Sequence, residues 1–172
     1  SYRLPHFGYA GYTDSCAMDE QAASDATSSI FVALLTGQQL VHDIGYIEAG
    51  LTVSPEMIVF CADTIGRLRH FTAGVDLSPD AFCLDLIHEI GPGGSYLTTE
   101  HTLQHFKSFW QPSLYSRLRL NDWQKKGAAD LGKRLRDKTV SLMERSQGSS
   151  LPAGTLAEVE RIRREANARV TA

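Results

Sequence analysis

The sequence predicts an α/β fold built from parallel strand–helix units. The main reason is that short apolar segments, punctuated by glycine, alternate with segments whose apolar residues recur at helical spacing. A second reason is that two helical segments begin at the pairs Ser54-Pro55 and Ser78-Pro79, since serine caps a helix N-terminus and proline fits the first turn. The order of the elements, strand then helix and again strand then helix, is the order that parallel units require.

The first half of the chain contains both of these units. The predicted elements are, in order, a strand over residues 7–13, a helix over 19–35, a buried strand over 40–47 and a helix from 54 to about 74. Gly37 ends the first helix, because glycine readily adopts the left-handed conformation that follows a helix C-terminus. The second helix carries an apolar side that we predict to be buried, formed by Ile58, Cys61, Ile65 and Leu68.

The second half of the chain is predicted to be mainly helical. Its elements are a helix over 81–90, a helix over 100–109, a long helix over 122–145, a linker over 147–152 and a terminal helix over 155–170. The long helix has a predicted buried stripe of Ala128, Leu131, Leu135 and Leu142. Because glycine, serine and proline dominate the linker, we predict two regions, a main domain over 1–146 and a linker with a terminal helix over 147–172.

Composition argues against several classes of function. The chain has 42% hydrophobic and 22% charged residues and a formal net charge of -3, so we expect no binding to nucleic acid or to anionic membranes. Its late basic residues alternate with acidic ones, which predicts a solvated helix face. No apolar run approaches the ~18 residues of a membrane helix, and the first residues do not read as a signal peptide.

The cysteines predict a reducing, cytoplasmic location. Cys16, Cys61 and Cys83 are odd in number and widely spaced, unlike the paired cysteines of a disulfide framework. Cys61 and Cys83 lie on apolar faces of helical segments, so we expect buried thiols there. Cys16 follows a probable strand end and is expected to be half-buried and inert.

The most distinctive segment is a glycine-rich loop that leads into a helix. Its Gly91-Pro92-Gly93-Gly94 run forbids regular structure and lets backbone approach a partner closely. Thr98 or Thr99 then caps a helix whose first turn holds Glu100. Two further segments are informative together with this loop: Gly-Tyr-Thr-Asp-Ser over 11–15 and Leu-Val-His-Asp-Ile-Gly-Tyr-Ile-Glu-Ala-Gly-Leu-Thr over 40–52.

These three segments resemble the C-terminal half of the trimethylamine methyltransferase family. The similarity covers roughly residues 8–146 and includes Asp19, Gln21-Ala22 and, later in the chain, Trp123 and Gly127. The match is specific because separate segments occur in the expected order. The resemblance implies the fold and the reaction of this family. Its members are (β/α)8 barrels, and they move a methyl group from a methylated amine onto the cobalt of a separate corrinoid protein.

The resemblance implies that the chain is a C-terminal part of a (β/α)8 TIM barrel with additional C-terminal helices. A complete barrel typically needs about 250 residues, whereas this chain has 172 and begins at Ser1. We therefore expect part of a larger enzyme, and the uncovered strand edges of a partial barrel predict a homo-oligomer.

The resemblance also implies the type of substrate. The archetype of the family uses pyrrolysine and trimethylamine, but this chain contains only standard residues. The pyrrolysine position is expected near residues 14–16. The chain is therefore identified with the non-pyrrolysine type, which includes glycine betaine methyltransferases, and the expected substrate is a quaternary amine.

Barrel enzymes carry their chemistry at the C-terminal ends of strands, where Asp14 and Glu48 are predicted to lie. We assign these carboxylates a catalytic role, with capping of the local loop as the alternative for each. The aromatic residues Tyr46 and Tyr96 are assigned, with His42, to substrate binding, because aromatic faces attract a methylammonium group. Ordinary packing is the alternative for all three. The face that meets the corrinoid is assigned to Gly91, Gly93, Gly94, Glu100 and His101.

A second class of function stays open on the sequence alone. His101 and His105 share one face of a predicted helix, but no third ligand is fixed, so we assign no metal. The alternative function is a metal-dependent TIM-barrel hydrolase that uses these histidines with His42 and Asp43. Since the latter two are predicted to lie in one strand, their side chains are expected to face opposite sides. A non-catalytic scaffold or oligomerisation fragment is the third alternative.

Overall fold

The computed structural model describes residues 4–146 and 151–170. The chain divides into two compact units, Ser1–Thr139 and Val140–Ala172. Its strands are β1 (Phe7–Tyr9), β2 (Leu40–His42), β3 (Tyr46–Ile47) and β4 (Thr52–Val53). Its helices are α1 (Glu20–Leu35), α2 (Pro55–Thr72), α3 (Pro79–Phe82), α4 (Leu84–Ile90), α5 (Glu100–His105), α6 (Leu120–Lys125), α7 (Leu131–Arg145) and α8 (Ala153–Val170). The predicted α/β class is confirmed, with helices predominating.

The strands form two separate pairs. β1 runs parallel to β2, with Tyr9 opposite His42, whereas β3 and β4 are antiparallel. The predicted strand over 40–47 is thus wrong in its middle part. Asp43 (φ 69°) and Gly45 (φ 95°) adopt left-handed backbone conformations, which no regular strand accommodates. At Gly45 a side chain is also excluded by space, because a Cβ there would lie 2.3 Å from Cγ1 of Ile58.

The parallel arrangement nevertheless continues past the interruption. The amide of Gly45 donates to the carbonyl of Gly11 at 2.9 Å, and that of Thr13 donates to Tyr46 at 3.1 Å. Segments 7–15 and 40–48 therefore lie side by side along their whole length, and the predicted parallel neighbours are confirmed. The described residues contain no closed barrel, so the barrel itself stays a prediction.

Helices α1 and α2 form the core with one face of the parallel pair. The side chain of Asp19 accepts the amide of Ala22 and caps α1. The side chain of Ser54 accepts the amide of Met57, so the predicted cap of α2 is confirmed. The buried apolar residues of these helices, together with the one that directly follows β1, are Ala10, Ala22, Ala26, Ile30, Ala33, Met57, Phe60, Cys61 and Leu68. Ile58 is an exception to the prediction, because it is 43% exposed.

The opposite face of the parallel pair carries aromatic side chains and is exposed. Phe7 and Tyr9 are 60% and 58% exposed, and the ring of Phe7 stacks on His42 with centroids 4.6 Å apart. Because strand side chains alternate between faces, these rings point away from the side on which Ala10 packs against the helices. The prediction that residues 40–47 form a buried strand is also wrong for Leu40, which is exposed.

The predicted helices of the second half are interrupted. The expected helix over 81–90 is divided at Cys83, whose φ of 50° ends α3 before α4 begins. Helix α5 ends at His105 and a single 3-10 turn, Phe106–Ser108, follows. The expected helix over 122–145 is divided between α6 and α7, where Gly127 and Ala128 have positive φ. Of its predicted stripe, Leu135 is buried, whereas Ala128 and Leu142 are exposed.

The segment after α5 is attached to the core through α2. The carboxylate of Asp63 accepts both the amide and the hydroxyl of Ser113, at 3.0 and 2.6 Å. Leu114 is buried, and its carbonyl accepts Nε of Arg134 at 2.8 Å. These contacts connect α7 and the preceding loop to the α1–α2 core.

Helix α8 confirms the predicted terminal helix and its solvated charged face. Arg161 contacts Glu158 and Glu165, three residues before and four after it in the chain, at 2.6 and 2.5 Å. The middle of the predicted linker, residues 147–150, lies outside the described residues. Across 4–146 and 151–170, no helix combines the length and the apolar character needed to cross a bilayer.

We expect Phe60→Ala to lower the free energy of unfolding by about 3–5 kcal/mol, because it leaves a cavity between α1, α2 and Tyr115. Phe60 is 1% exposed and its ring lies 6.3 Å from that of Tyr115. The matched control is Phe71→Ala on the same helix, since Phe71 is 73% exposed and should lose under about 1 kcal/mol. Urea unfolding followed by circular dichroism measures both, and equal losses would contradict the assigned core.

Candidate functional site

A cleft lies between the loop that follows β1 and the middle of α1. Its volume is about 370 Å³, and its lining residues are Tyr12, Thr13, Asp14, Asp25, Ser28, Ser29 and Val32. The cleft therefore stands at the carboxyl end of a parallel strand, the position at which α/β folds bind ligands. It combines an aromatic ring with two carboxylates.

A hydrogen-bond network fixes the cleft loop onto α1. The buried hydroxyl of Thr13 donates to Oδ2 of Asp25 at 2.7 Å and accepts the amide of Ser15 at 3.0 Å. The hydroxyl of Ser29 accepts the amide of Gly11 at 3.0 Å. Asp14 lies between these anchored positions and is exposed, and its carboxylate receives no hydrogen bond from the described residues. The loop thus holds the Asp14 backbone in place and leaves its side chain free for a ligand.

The electrostatic environment of the cleft is negative. Desolvation raises the pKa of Tyr12, and the nearby charges of Tyr9, Asp14, Asp43 and Asp25 raise it further. The Tyr12 phenol is therefore neutral at neutral pH, while the carboxylates around it favour a positively charged ligand.

Glu48 lies on the neighbouring segment. Its amide donates to the carbonyl of Ser15 at 2.8 Å, which places it beside the cleft loop at the same edge as Asp14. Its exposed carboxylate accepts the hydroxyl of Thr52 at 2.5 Å, and this contact closes the Glu48–Gly50 turn. Tyr46, half-buried in β3, contributes its carbonyl to the same pairing. The catalytic role of Glu48 and the binding role of Tyr46 stay predictions.

The structure corrects the prediction for His42 and Asp43. Their side chains do not face opposite sides, because Nδ1 of His42 lies 2.6 Å from Oδ1 of Asp43. The physical reason is the left-handed backbone of Asp43, which ends the strand and turns its side chain back. His42 is also not a core histidine, since its side chain is 43% exposed. Its ring lies against Phe7 and 6.0 Å from that of Tyr9.

The glycine-rich loop lies in a different part of the same unit and connects α4 to α5. Gly91 (φ 67°) and Gly93 (φ 78°) need left-handed conformations, and a Cβ on either would meet no atom within 4 Å. At Gly94 a Cβ would lie 2.7 Å from the carbonyl oxygen of Ile90. The loop is thus an open turn that also requires close backbone approach at Gly94.

The residues that follow this loop are held in place locally. Thr99 caps α5, as one of the two predicted candidates, and the carbonyl of Tyr96 accepts the hydroxyls of Thr99 and Thr102. The Tyr96 ring is partly exposed. The carboxylate of Glu100 accepts Nε2 of Gln104 at 3.0 Å. In the described part of the chain, no hydrogen bond joins this loop to the cleft.

His101 belongs to a second cluster. Its Nε2 lies 2.8 Å from Sγ of Cys83 and 3.1 Å from the carbonyl oxygen of Asp80. His105 contacts the carboxylate of Asp80 at 3.1 Å. The hydrolase alternative requires His42 and Asp43 in the same site, but within 4–146 and 151–170 the potential metal ligands group only as Asp80, His101 and His105.

The three cysteines differ from one another. Cys61 is buried as predicted, and burial raises its pKa to about 11. Cys16 is exposed rather than half-buried, and Cys83 is only partly buried. Desolvation and the charge of Asp80 raise the pKa of the Cys83 thiol, which is the opposite of what an activated thiolate nucleophile needs.

Tyr12 and Asp25 are the cleft residues that sequence reasoning missed. Tyr12 was contained in the recognised segment 11–15 but was not distinguished from its neighbours. The sequence does contain a signal for Asp25, because this residue places a carboxylate in the middle of a helix that is otherwise rich in alanine, serine and apolar residues. Its partner Thr13 lies twelve positions earlier, so their hydrogen bond exists only once α1 folds back on β1.

Comparison with known proteins gives a consistent result. The profile of the family Trimethylamine methyltransferase (MTTB) matches residues 1–168. The trimethylamine methyltransferase MttB of Desulfitobacterium hafniense (strain DSM 10664 / DCB-2) is 25% identical over 161 residues, which are 94% of this chain and 32% of that protein. The glycine betaine methyltransferase of Desulfitobacterium hafniense (strain Y51) is 31% identical over 126 residues, 72% of this chain and 26% of that protein.

A third relative, the trimethylamine methyltransferase MttB of Methanosarcina thermophila, is 26% identical over 159 residues, 92% of this chain and 33% of that protein. The chain that has this α/β fold and this cleft is therefore homologous to methyltransferases. The chain belongs to the trimethylamine methyltransferase (MTTB) family. It spans a quarter to a third of the length of these curated relatives.

We expect the cap that positions the cleft loop to depend on pH. Hydrogen bonds from the Ala22 amide and the Ser15 hydroxyl lower the pKa of Asp19 below its ordinary value of 3.8. A carboxylate with a lowered folded-state pKa stabilises the fold above the unfolded value, and this contribution disappears as pH falls through the folded value. Asp19→Asn keeps a capping side chain but removes the ionisation.

The stability difference between wild type and Asp19→Asn should therefore be present at neutral pH and vanish in acid. Denaturant unfolding at a series of pH values measures it. Glu20→Gln is the matched control, because Glu20 also lies at the start of α1 but receives no hydrogen bond from the described residues. A difference that is independent of pH would show that the Asp19 charge does not support the cap.

Proposed function

We propose that the chain is part of a corrinoid-dependent methyltransferase that moves a methyl group from a quaternary amine to the cobalt of a partner corrinoid protein. The observation that carries this proposal is the cleft at the carboxyl end of β1, where Tyr12 lies with Asp14 and Asp25. Family membership supplies the reaction class, and the cleft supplies a place suited to a cationic amine.

The arrangement of the first two strands supports a partial barrel. In a (β/α)8 barrel the helices cover the outside of the parallel sheet, and the other sheet face forms the interior. Here α1 and α2 cover the face that carries Ala10, while the face that carries Phe7, Tyr9 and His42 is exposed. We propose that further strands cover this aromatic face in the whole protein, so that Phe7, Tyr9 and His42 line the barrel interior.

The residues at this edge match the chemistry of a methylated ammonium group. Such a group is a weakly hydrated cation that binds aromatic faces with roughly 0.5–2 kcal/mol each, depending on desolvation. The rings of Tyr9 and Tyr12 lie edge to face with centroids 5.4 Å apart, and the ring of Tyr9 also contacts His42. Asp14 adds an unengaged carboxylate beside them, and we propose that it balances the positive charge of the substrate.

The chemistry asked of the protein residues is limited. The corrinoid, when its carrier protein docks, supplies a reduced cobalt that accepts the methyl group, and the nitrogen leaves as a neutral tertiary amine. A quaternary nitrogen therefore needs no general acid, and the protein contributes orientation and exclusion of water. We propose that Asp14 and Glu48 hold the charge of the substrate, and that Tyr46 and Tyr96 contribute to its binding.

We propose that the corrinoid protein docks at the glycine-rich loop. Gly91 and Gly93 have no neighbouring atoms where a side chain would extend, so a large macrocycle finds bare backbone there. Glu100 and His101 follow at the start of α5 and are assigned to the same face. We also propose a homo-oligomer, because many apolar side chains of this chain are exposed and such surfaces are normally covered by protein.

Carboxylate-to-amide variants test the proposed charge balance. In a protein with the complete barrel, we expect Glu48→Gln and Asp14→Asn each to reduce methyl transfer to cob(I)alamin at least about tenfold, equivalent to ~1.4 kcal/mol of transition-state stabilisation. Asp122→Asn, on the exposed helix α6, is the matched control. Formation of methylcobalamin from a panel of tertiary and quaternary amines is the measurement.

Binding separates charge recognition from catalysis. Asp14→Asn should weaken binding of choline but not of its neutral tert-butyl analogue, because only the former carries a charge. If the Glu48→Gln protein is fully active, Glu48 only closes its turn with Thr52 and does not balance the substrate charge. If no methylated amine yields methylcobalamin even with wild-type protein, the proposed function itself is wrong.

The docking face is tested without disturbing a glycine. Valine at Gly93 is unsuitable because its backbone is left-handed, so loss of activity there is confounded by strain. We expect Ser95→Trp to block methyl transfer from a bound amine to the corrinoid protein while amine affinity and melting temperature stay unchanged. Ser116→Trp is the matched control, since Ser116 accepts the amide of Leu118 as Ser95 accepts that of Leu97. Unimpaired transfer by Ser95→Trp would place the loop away from the docking face.

A further inference from the structure

Four potential metal ligands meet between α3 and α5. Asp80 lies in α3 and Cys83 directly follows that helix, while His101 and His105 lie four residues apart on one face of α5. One ligand atom each from Asp80, His101 and His105 lies within 4.8 Å of the others. Sγ of Cys83 is a further donor beside this group, in contact with Nε2 of His101 at 2.8 Å but not within 4.8 Å of all three ligand atoms. None of these four residues belongs to the cleft at the end of β1.

Asp80, His101 and His105 have ligand atoms close enough to share a tetrahedral ion, and Cys83 must move closer to complete it. Zinc binds nitrogen and oxygen at about 2.0–2.1 Å and sulfur at about 2.3 Å, so neighbouring ligand atoms stand roughly 3.3–3.6 Å apart. The carboxylate of Asp80 and Nε2 of His105 are 3.1 Å apart. Sγ of Cys83 and Nε2 of His101 are 2.8 Å apart, so this pair needs to separate by about 0.8 Å. An open cleft of about 390 Å³, lined in part by Asp80, Cys83 and His101, gives access.

The local backbone directs these side chains to one point. The left-handed conformation of Cys83 ends α3 after one turn and turns the thiol toward α5. The rings of His101 and His105 lie with centroids 4.3 Å apart and 30° between their planes, so both present Nε2 to α3. In the described part of the chain, the polar side-chain contacts between α3 and α5 all involve these four residues.

This segment has little else to hold it together. Between Leu68 and Leu114 no residue is buried, so the helices α3, α4 and α5 lack a hydrophobic core of their own. Small segments of this kind commonly depend on a metal or on disulfides for their fold. The cysteine of this segment, Cys83, contacts the ring of His101 and the backbone carbonyl of Asp80 rather than another cysteine.

We propose that Asp80, Cys83, His101 and His105 form a structural zinc site that holds α3 against α5. Oδ2 of Asp80, Sγ of Cys83 and Nε2 of both histidines are the four ligands. On binding, the Cys83 thiol releases its proton to solvent and each histidine keeps its proton on Nδ1. Two anionic ligands then balance the ion, giving a neutral centre. Since four protein ligands complete a tetrahedron, the site leaves no position for substrate and is structural rather than catalytic.

Metal titration of the 172-residue chain tests the site directly, without an assay of methyl transfer. The probes are Zn²⁺, and Co²⁺ as a coloured substitute with a thiolate-to-cobalt charge-transfer band. We expect one equivalent to bind after removal of metal with a chelator. Cys83→Ser should abolish the charge-transfer band and weaken binding at least about tenfold, because even the loss of an outer-shell partner costs ~10–100-fold. His105→Gln should weaken binding similarly while the band persists.

The matched controls are Cys16→Ser and His88→Gln, since Cys16 is an exposed free thiol outside the cluster and His88 is an exposed histidine on α4. Both should bind metal like wild type. Zn²⁺ should also slow amide hydrogen exchange in α3 and α5 of wild type and of both controls, but not of Cys83→Ser. Circular dichroism verifies that the variants fold. Weak, non-saturating binding, or equal affinity in Cys83→Ser and Cys16→Ser, would overturn the proposal.

Discussion

The side-by-side pairing of segments 7–15 and 40–48 is the constraint on which the candidate site depends. Regular parallel pairing covers only three residues of each segment, yet backbone hydrogen bonds continue to Glu48, whose amide reaches Ser15. Because the segments are parallel, both polar loops emerge at the same edge. Asp14 and Glu48 are therefore neighbours through the backbone, although thirty-four positions separate them in the sequence. The cleft against α1 follows, since the 11–15 loop must then turn back over that helix.

The sequence was informative where local rules decide the structure. Helix α2 begins directly after Ser54, as its serine–proline pair predicts, and its apolar spacing identified Cys61 and Leu68 as core residues. Prediction failed where a single residue adopted a left-handed conformation. Asp43, Cys83 and Ala128 each interrupt an element that was predicted to be continuous. A non-glycine residue carries no clear signal for this conformation, because its cost is repaid by contacts that form only in the folded chain.

The residues of the candidate site also divide into those that local sequence patterns predict and those that only the folded chain brings together. Asp14 and Glu48 were predicted because strand ends and a family resemblance point to them. Tyr12 and Asp25 were missed because their importance comes from the cleft, which needs α1 folded against β1. The partnership of Asp80 and Cys83 with His101 and His105 was missed for a similar reason. A pair of histidines on one helix is uninformative until a second helix supplies further donors.

The strained positions themselves point to where side chains matter. A left-handed conformation costs a residue other than glycine about 1–3 kcal/mol, so glycine is the default there unless the side chain is needed. At Asp43, Glu48 and Cys83 the side chain makes a specific contact, to His42, Thr52 and His101 respectively. Ala49 and Ala128 are also left-handed, but alanine brings no polar group to such a position. Asp43 and Glu48 lie on the segment that adjoins the cleft loop and Cys83 lies in the second cluster, so the strain falls where the chain places its polar chemistry.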